Sequence, residues 1–162
     1  MAATYHLSPQ QTLTVTKSGA DTGGALLEVE ATWTGGGSLP REHFHPAQNE
    51  RFEVTDGRLR VVLDGAERVL EPGDVLQVPP GTVHAMTAGD QGARAIWQIR
   101  PALRTQELFA ALSDAHGRGG SLLDFVPVAR AHRAEIRFTK PPPLVQGPVF
   151  AALSLVAKVV RR

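Results

Sequence analysis

The chain contains no cysteine, which excludes disulfides, thiolate-held zinc and a thiol nucleophile. Any metal must therefore be held by nitrogen and oxygen. An excess of charge of one sign is also missing: 17 Lys and Arg stand against 16 Asp and Glu, a formal charge of +1. That balance gives no electrostatic reason to expect nucleic acid or acidic lipid as the main partner. No transmembrane segment is expected, since the longest apolar run, VFAALSLVA at 149–157, falls far short of the roughly 20 residues that span a bilayer. The opening MAATYHLSPQQ has neither the basic n-region nor the apolar core of a secretory signal. The expectation is a soluble, cytoplasmic protein. What remains is ordinary globular material: 162 residues, 42% hydrophobic and 20% charged, enough for one domain, or one domain with an appendage, around a real core.

Two textures divide the chain. Up to about Arg100 it consists of short segments rich in β-branched and aromatic residues: TLTVT (12–16), ALLEVEATW (25–33), RFEV (51–54), RLRVVL (58–63), VLQV (75–78) and ARAIWQI (93–99). Glycine- and proline-bearing separators such as TGGGS, TDG, LDG, EPGD and AGDQG lie between them. Many short strands with turn signals at close spacing predict an antiparallel sandwich or barrel. After Pro101 the period changes. RTQELFAALSDAHG predicts a helix with Thr105 as N-cap, Leu108 and Leu112 four apart, and Gly117 as terminator. A second helix is expected over 127–138, with Pro127 in its first turn. KPPP (140–143) reads as an extended linker. A third helix over 148–161 would place Val149, Leu153, Val156 and Val160 on one face. Residues 1–100 are thus expected to form the barrel and 101–162 a helical extension packed on it or on a partner subunit.

One stretch carries chemistry. On a strand, residues i and i+2 point to the same side about 6.5 Å apart, so His43 and His45 would project into one space. Pro46 breaks that strand, and the turn-like residues after it let Glu50 return from a neighbouring strand. A fourth candidate is His84, which follows the Pro79–Pro80–Gly81 turn at the start of the next strand. Three imidazoles and one carboxylate form a borderline-to-hard set suited to Fe, Mn, Ni, Co, Zn or Cu as divalent ions, with positions left for water or substrate. A solitary histidine in a barrel is more often a hydrogen-bonded core or surface residue than a ligand; the spacing of the whole set is what shifts the balance toward metal.

That spacing resembles the two conserved motifs of the cupin superfamily. Gly37, five residues, His43, one, His45, four, Glu50, six, Gly57 is similar to the first. Gly73, five residues, Pro79, one, Gly81, two, His84 is similar to the second. The family's second motif often ends in Asn four residues past the histidine, where this chain has Ala88. The resemblance covers about residues 25–100. It implies an all-β antiparallel jelly-roll (double-stranded β-helix) barrel with a metal bound inside by His43, His45, Glu50 and His84. Gly57 and Gly73 are expected in turns with positive φ, and Gly81 is expected to swing His84 inward.

Membership in such a family does not name a reaction. The expected function is a divalent-metal-binding cupin that acts on or binds a small organic molecule in the barrel, as a metal-dependent oxygenase or isomerase. The alternative is a non-enzymatic small-molecule-binding or sensor cupin. The inward residues Phe52, Val54 and Met86, and one of the pairs Ile96/Gln98 or Trp97/Ile99, with Gln98 preferred, form the expected lining, mostly apolar and poor in proton carriers. Arg51 and Glu53 alternate out of phase with Glu50 and are expected on a solvated face. His6, His116 and His132 match no ligand spacing. Trp33 is expected in the core. Exposed sheet edges suggest a homodimer.

Overall fold

The computed structural model describes residues 2–160, apart from the side chains of Pro143, Ala157, Lys158 and Val160. The chain is mostly β, a curled antiparallel jelly-roll sheet followed by helices. In chain order the elements are β1 (Thr4–Ser8), β2 (Gln11–Lys17), β3 (Leu27–Trp33), β4 (His43–Phe44), β5 (Asn49–Leu63), β6 (Ala66–Leu70), β7 (Val75–Val78), β8 (His84–Arg100), α1 (Thr105–Gly117), α2 (Leu122–Ala131), β9 (Arg137–Phe138) and α3 (Pro143–Val160).

The spine of the barrel is one long ribbon. β5 and β8 pair antiparallel from Asn49↔Arg100 to Leu63↔His84. Beside the first half of the ribbon, β3 flanks β8, with β2 and β1 beyond it, and β7 flanks β5. Beside the second half, β6 flanks β5 and the short β4–β9 pair flanks β8. The segments expected as separate strands at 51–54 and 58–63 are therefore one strand, and the expected strand at 93–99 continues back to His84. AGDQG is not a turn between strands. The register shifts between Val54 and Asp56 and between Gly57 and Leu59, whose partners are Ala93 and Ala88, so residues 89–92 bulge out opposite Arg58 and the ribbon bends there.

Glycine is required at this corner. Gly57 has φ +67°, and a Cβ on it would lie 2.1 Å from the Gly92 carbonyl oxygen. The positive φ expected of Gly57 is present, but at a bend within a strand rather than in a turn. Alternation along the strands then buries Leu13, Val29, Phe52, Val54, Val61 and Ile99 in one core, with Trp33 among them.

The helical part differs from expectation in its boundaries. Thr105 does begin α1, but it is not the cap: that position is Arg104. The Thr105 hydroxyl instead accepts a 2.7 Å bond from the Gln48 amide, which also donates to the Pro101 and Ala102 carbonyls. α2 starts five residues before the expected 127 and ends at Ala131. Its start signal is Ser121 with Asp124 three residues on, and the Asp124 carboxylate accepts the Ser121 backbone N–H at 3.0 Å, the return half of a capping box. Pro127 accordingly lies inside the helix rather than in its first turn. α3 starts at Pro143, so the last proline of KPPP opens a helix, a position that suits its fixed φ and missing N–H. On the expected apolar face of α3, Val149 and Val156 are exposed and Leu153 is half-buried, as are Gln146, Phe150 and Ser154 beside it. The Val160 side chain lies outside the described residues. Among the described residues no helix is long and apolar enough to cross a membrane.

α1 lies against the barrel, with Phe109 in the main core and its ring 5.2 Å from Trp97. A smaller apolar cluster of Leu108, Ala115 and Val128, with Phe125 and Ile136 against it, joins α1 to α2.

Candidate metal centre

The bend in the ribbon makes the site. On a straight strand, Glu50 and Leu63 would stand about 40 Å apart, and His84 pairs directly with Leu63. Folded at the corner, the two ends of the ribbon meet: Glu50 Oε2 is 3.0 Å from His84 Nε2. His43 on β4 is also paired with His84, and His45 follows two residues later, so both project to the same place. The Gly81 backbone N–H donates to the His45 carbonyl at 2.9 Å, and Gly81 itself has φ +80°. The turn before His84 is thereby tied to the motif that carries the other two histidines.

One ring nitrogen from each of His43, His45 and His84 lies within 4.8 Å of the other two. Each Nδ1 faces a backbone carbonyl: Arg41 at 3.0 Å for His43, Glu135 at 2.6 Å for His45, and Thr82 at 3.0 Å for His84. A carbonyl oxygen can only accept, so all three Nδ1 atoms carry the proton and donate. That leaves Nε2 as the nitrogen that bears the lone pair whenever a ring is neutral, as metal-bound histidines usually require.

Glu50 sits against two of these nitrogens, with Oε1 3.3 Å from His45 Nε2 and Oε2 3.0 Å from His84 Nε2. It is 0% exposed, His84 2% and His45 6%, while His43 is half-buried. Burial alone would raise the Glu50 carboxyl, but the attraction of His45, His84 and His43 together holds it below its ordinary value. Burial lowers His43 to about 3, with the neighbouring His84 and His45 adding to the effect. Burial also opposes charge on His84, but its contact with Glu50 outweighs that and raises it. Glu50 Oε2 and His45 Nε2 are buried without a hydrogen-bond partner. Lone pairs of imidazole and carboxylate therefore face each other in a space that needs a positive charge, either an added proton or a cation.

The four residues singled out by spacing are thus brought together. Of the expected lining, Phe52 and Val54 point into the core and Met86 packs beside it. Gln98 does not. Trp97 and Ile99 are the inward pair, and Gln98 lies on the opposite face, donating to Glu28 Oε2 at 2.6 Å and accepting from Arg100. Arg51 and Glu53 pair with each other at 2.8 Å on the outer side. His132, which matches no ligand spacing, is the C-cap of α2, 5% exposed, with Nδ1 3.7 Å from Glu135 Oε2. Sequence reasoning missed two contributors to the site. The Trp97 indole N–H donates to Glu50 Oε1 at 3.1 Å, which followed from the register left open. The Glu135 carbonyl that holds His45 comes from 90 residues away, and no local spacing announces it.

Residues 29–99 match the family model described as the cupin domain. The chain is 31% identical over 75 residues to quercetin 2,3-dioxygenase of Bacillus subtilis, which is 46% of this chain and 22% of that protein. It is 35% identical over 66 residues to an oxidoreductase of Arthrobotrys oligospora, 39% of this chain and 26% of that one. The chain thus spans about a quarter of the length of these curated relatives. Among solved structures, KdgF from Halomonas sp. superposes with a TM-score of 0.54 at 22% identity, covering 61% of this chain and 86% of that one. A jelly-roll barrel, both histidine-bearing motifs and the matched family model agree: residues 29–99 carry a cupin domain.

Proposed function

We propose that His43, His45, His84 and Glu50 hold one divalent transition metal, and that a small organic molecule with oxygen donors binds beside it. The observation that carries this reading is the convergence of three imidazoles, two of them with Nε2 against a buried carboxylate, with every Nδ1 committed to a carbonyl. When bound, such an ion supplies Lewis acidity or one-electron chemistry toward oxygen. The chain's own residues do the rest. The three carbonyls fix the imidazole tautomers, Trp97 orients Glu50, and Phe52, Val54 and Ile99 keep water from the inner side. His43 is the most accessible of the four, so a ligand's approach runs past it.

Between the expected reaction types, oxygenase chemistry is preferred. An isomerase needs a side chain free to move a proton, and the inward neighbours Phe52, Val54, Trp97 and Ile99 offer none. The partial likeness to a quercetin 2,3-dioxygenase is in keeping with this. The same apolar lining also suits the alternative, a sensor that binds without turnover. Protein purified without an affinity resin, analysed for metal and then loaded in turn with Fe, Mn, Ni, Co, Zn and Cu, tests the reading. The expected result is one equivalent bound and a raised Tm; no binding of any of the six would end it. Oxygen uptake with flavonol and diketone probes then separates oxygenase from sensor. We further propose that two copies pair, a reading supported by the exposed Val69 on β6 and Val75 on β7. Light scattering at twice 17.4 kDa is the expected result.

A further inference from the structure

We propose that the segment after α2, residues 132–139, completes the metal centre, with Glu135 as a positioning residue for His45. This rests on the metal reading above and goes beyond it, because these residues lie outside both histidine-bearing motifs. His43 and His84 each donate to the carbonyl two residues earlier, so their ring orientation is a local matter. His45 is different: its Nδ1–H donates at 2.6 Å to the carbonyl of Glu135, 90 residues further along the chain.

The segment is held as if that carbonyl had to be placed. A connecting loop ordinarily runs over the surface, yet the carboxylate-bearing Glu135 is 3% exposed, a costly location unless its oxygens are used. Oε1 accepts the Arg104 backbone N–H at the head of α1, at 3.2 Å, and Oε2 lies 3.7 Å from His132 Nδ1. The Glu135 and Ile136 backbone N–H groups both donate to the His132 carbonyl at 3.0 Å. Beyond it, β9 pairs with β4 through His43↔Phe138 and Phe44↔Arg137, and the Thr139 N–H donates to the Glu42 carbonyl. The Phe138 ring stands 6.2 Å from that of His43. One strap therefore touches two of the three imidazoles, anchored by α1 on one side and by β4 on the other. The Glu135 side chain fixes the loop, its carbonyl fixes the His45 tautomer, and Nε2 is presented to the site. Outer partners of metal-bound histidines are worth roughly 10–100-fold in metal affinity.

The test compares Glu135→Leu with Glu135→Gln in the full chain, using Co(II) as probe. Gln can still accept the Arg104 N–H, so E135Q should keep parent-like affinity and the parent ligand-field spectrum. E135L should bind about 10–100-fold more weakly with an altered spectrum. An E135L protein that matches E135Q in both overturns the positioning role and leaves the metal reading standing. A parent that binds no Co(II) ends both. Should E135L fail to fold, long-range 1H–15N correlation on the metal-free parent decides. The expected signal is a His45 ring in the Nδ1–H form with a downfield, slowly exchanging proton. An Nε2–H ring or a freely exchanging proton overturns the inference.

Discussion

The barrel and the last helix invert each other's chemistry. Inside the barrel, three polar side chains (His45, Glu50 and His84) are sealed from water next to an apolar core. On α3, Leu144 is 93% exposed, with Leu155 and Val159 also standing in solvent. A buried polar cluster is tolerated where every group finds a partner, and this one converges on a shared space where two atoms lack one. An exposed apolar face is tolerated where something covers it or where it stays small. The first arrangement is built by strand alternation and a sharp bend, so it is rigid, and the partner proposed for it is an ion. The second sits at the edge of the molecule, and changing it should matter little to the fold.

The largest effect should come from removing the bend. Gly57→Val would drive a side chain into the Gly92 carbonyl at a positive φ, at a cost of about 4 kcal/mol or more. Loss of the cooperative thermal transition is the expected outcome, and a native-like Tm would show that the ribbon can turn its corner some other way. Next in size is His84→Ala. It should lower metal affinity beyond the roughly 10–100-fold that follows loss of an outer partner, measured by chelator competition. Full occupancy in that variant would mean that the two motifs do not share an ion.

A smaller effect should appear in the pH dependence of the metal-free protein. Folded His43 resists protonation down to about 3, so the unfolded chain takes up more protons from the ordinary 6.5 downward, and stability falls as pH falls in that window. Glu50, held below its ordinary 4.5, adds to the loss at the acid end. His84 is raised, so its contribution is complete below 6.5 and is lost as pH rises through its folded value. Metal-free Tm should therefore peak near 6.5, and metal loading should abolish the alkaline decline by replacing the His84 proton. A flat metal-free profile would contradict the charge placement. The same proton must leave before an ion binds, so metal affinity should begin to fall, as pH drops, above the ordinary histidine value of 6.5.

The smallest effect belongs to α3. Leu155→Ser with Val159→Ser should change stability by no more than about 0.5 kcal/mol in chemical denaturation. A larger loss would show that this face is covered in solution, which would sharpen the contrast into one between two kinds of buried surface.

Legibility in the sequence followed the same divide. The four residues of the centre could be picked out because strand period and turn glycines leave few ways to place His43, His45, Glu50 and His84. Side choice along β8 was lost at AGDQG, where a bulge reads like a turn, and with it the inward position of Trp97. The start of α2 is hard to place because Pro127 resembles a start signal, although Ser121 and Asp124 supply the true one. Thr105 reads as a cap because nothing local reveals Gln48, whose three bonds to 101–105 reach across about a third of the chain. Glu135 is the extreme case, since its role exists only after the chain has closed on itself.

The β5–β8 ribbon has a consequence for how the barrel comes apart. Each of its strands serves both faces of the roll, so neither face has a boundary along which it could detach while the other persists. Amide hydrogen exchange along Glu50–Val54 and along Leu59–Leu63 should therefore report one common opening free energy, although these segments lie on opposite sides of the corner. Sub-global opening should be confined to the flanking strands, β1 and β6 first, and an ion seated between the ends of the ribbon would slow the common opening at both segments alike.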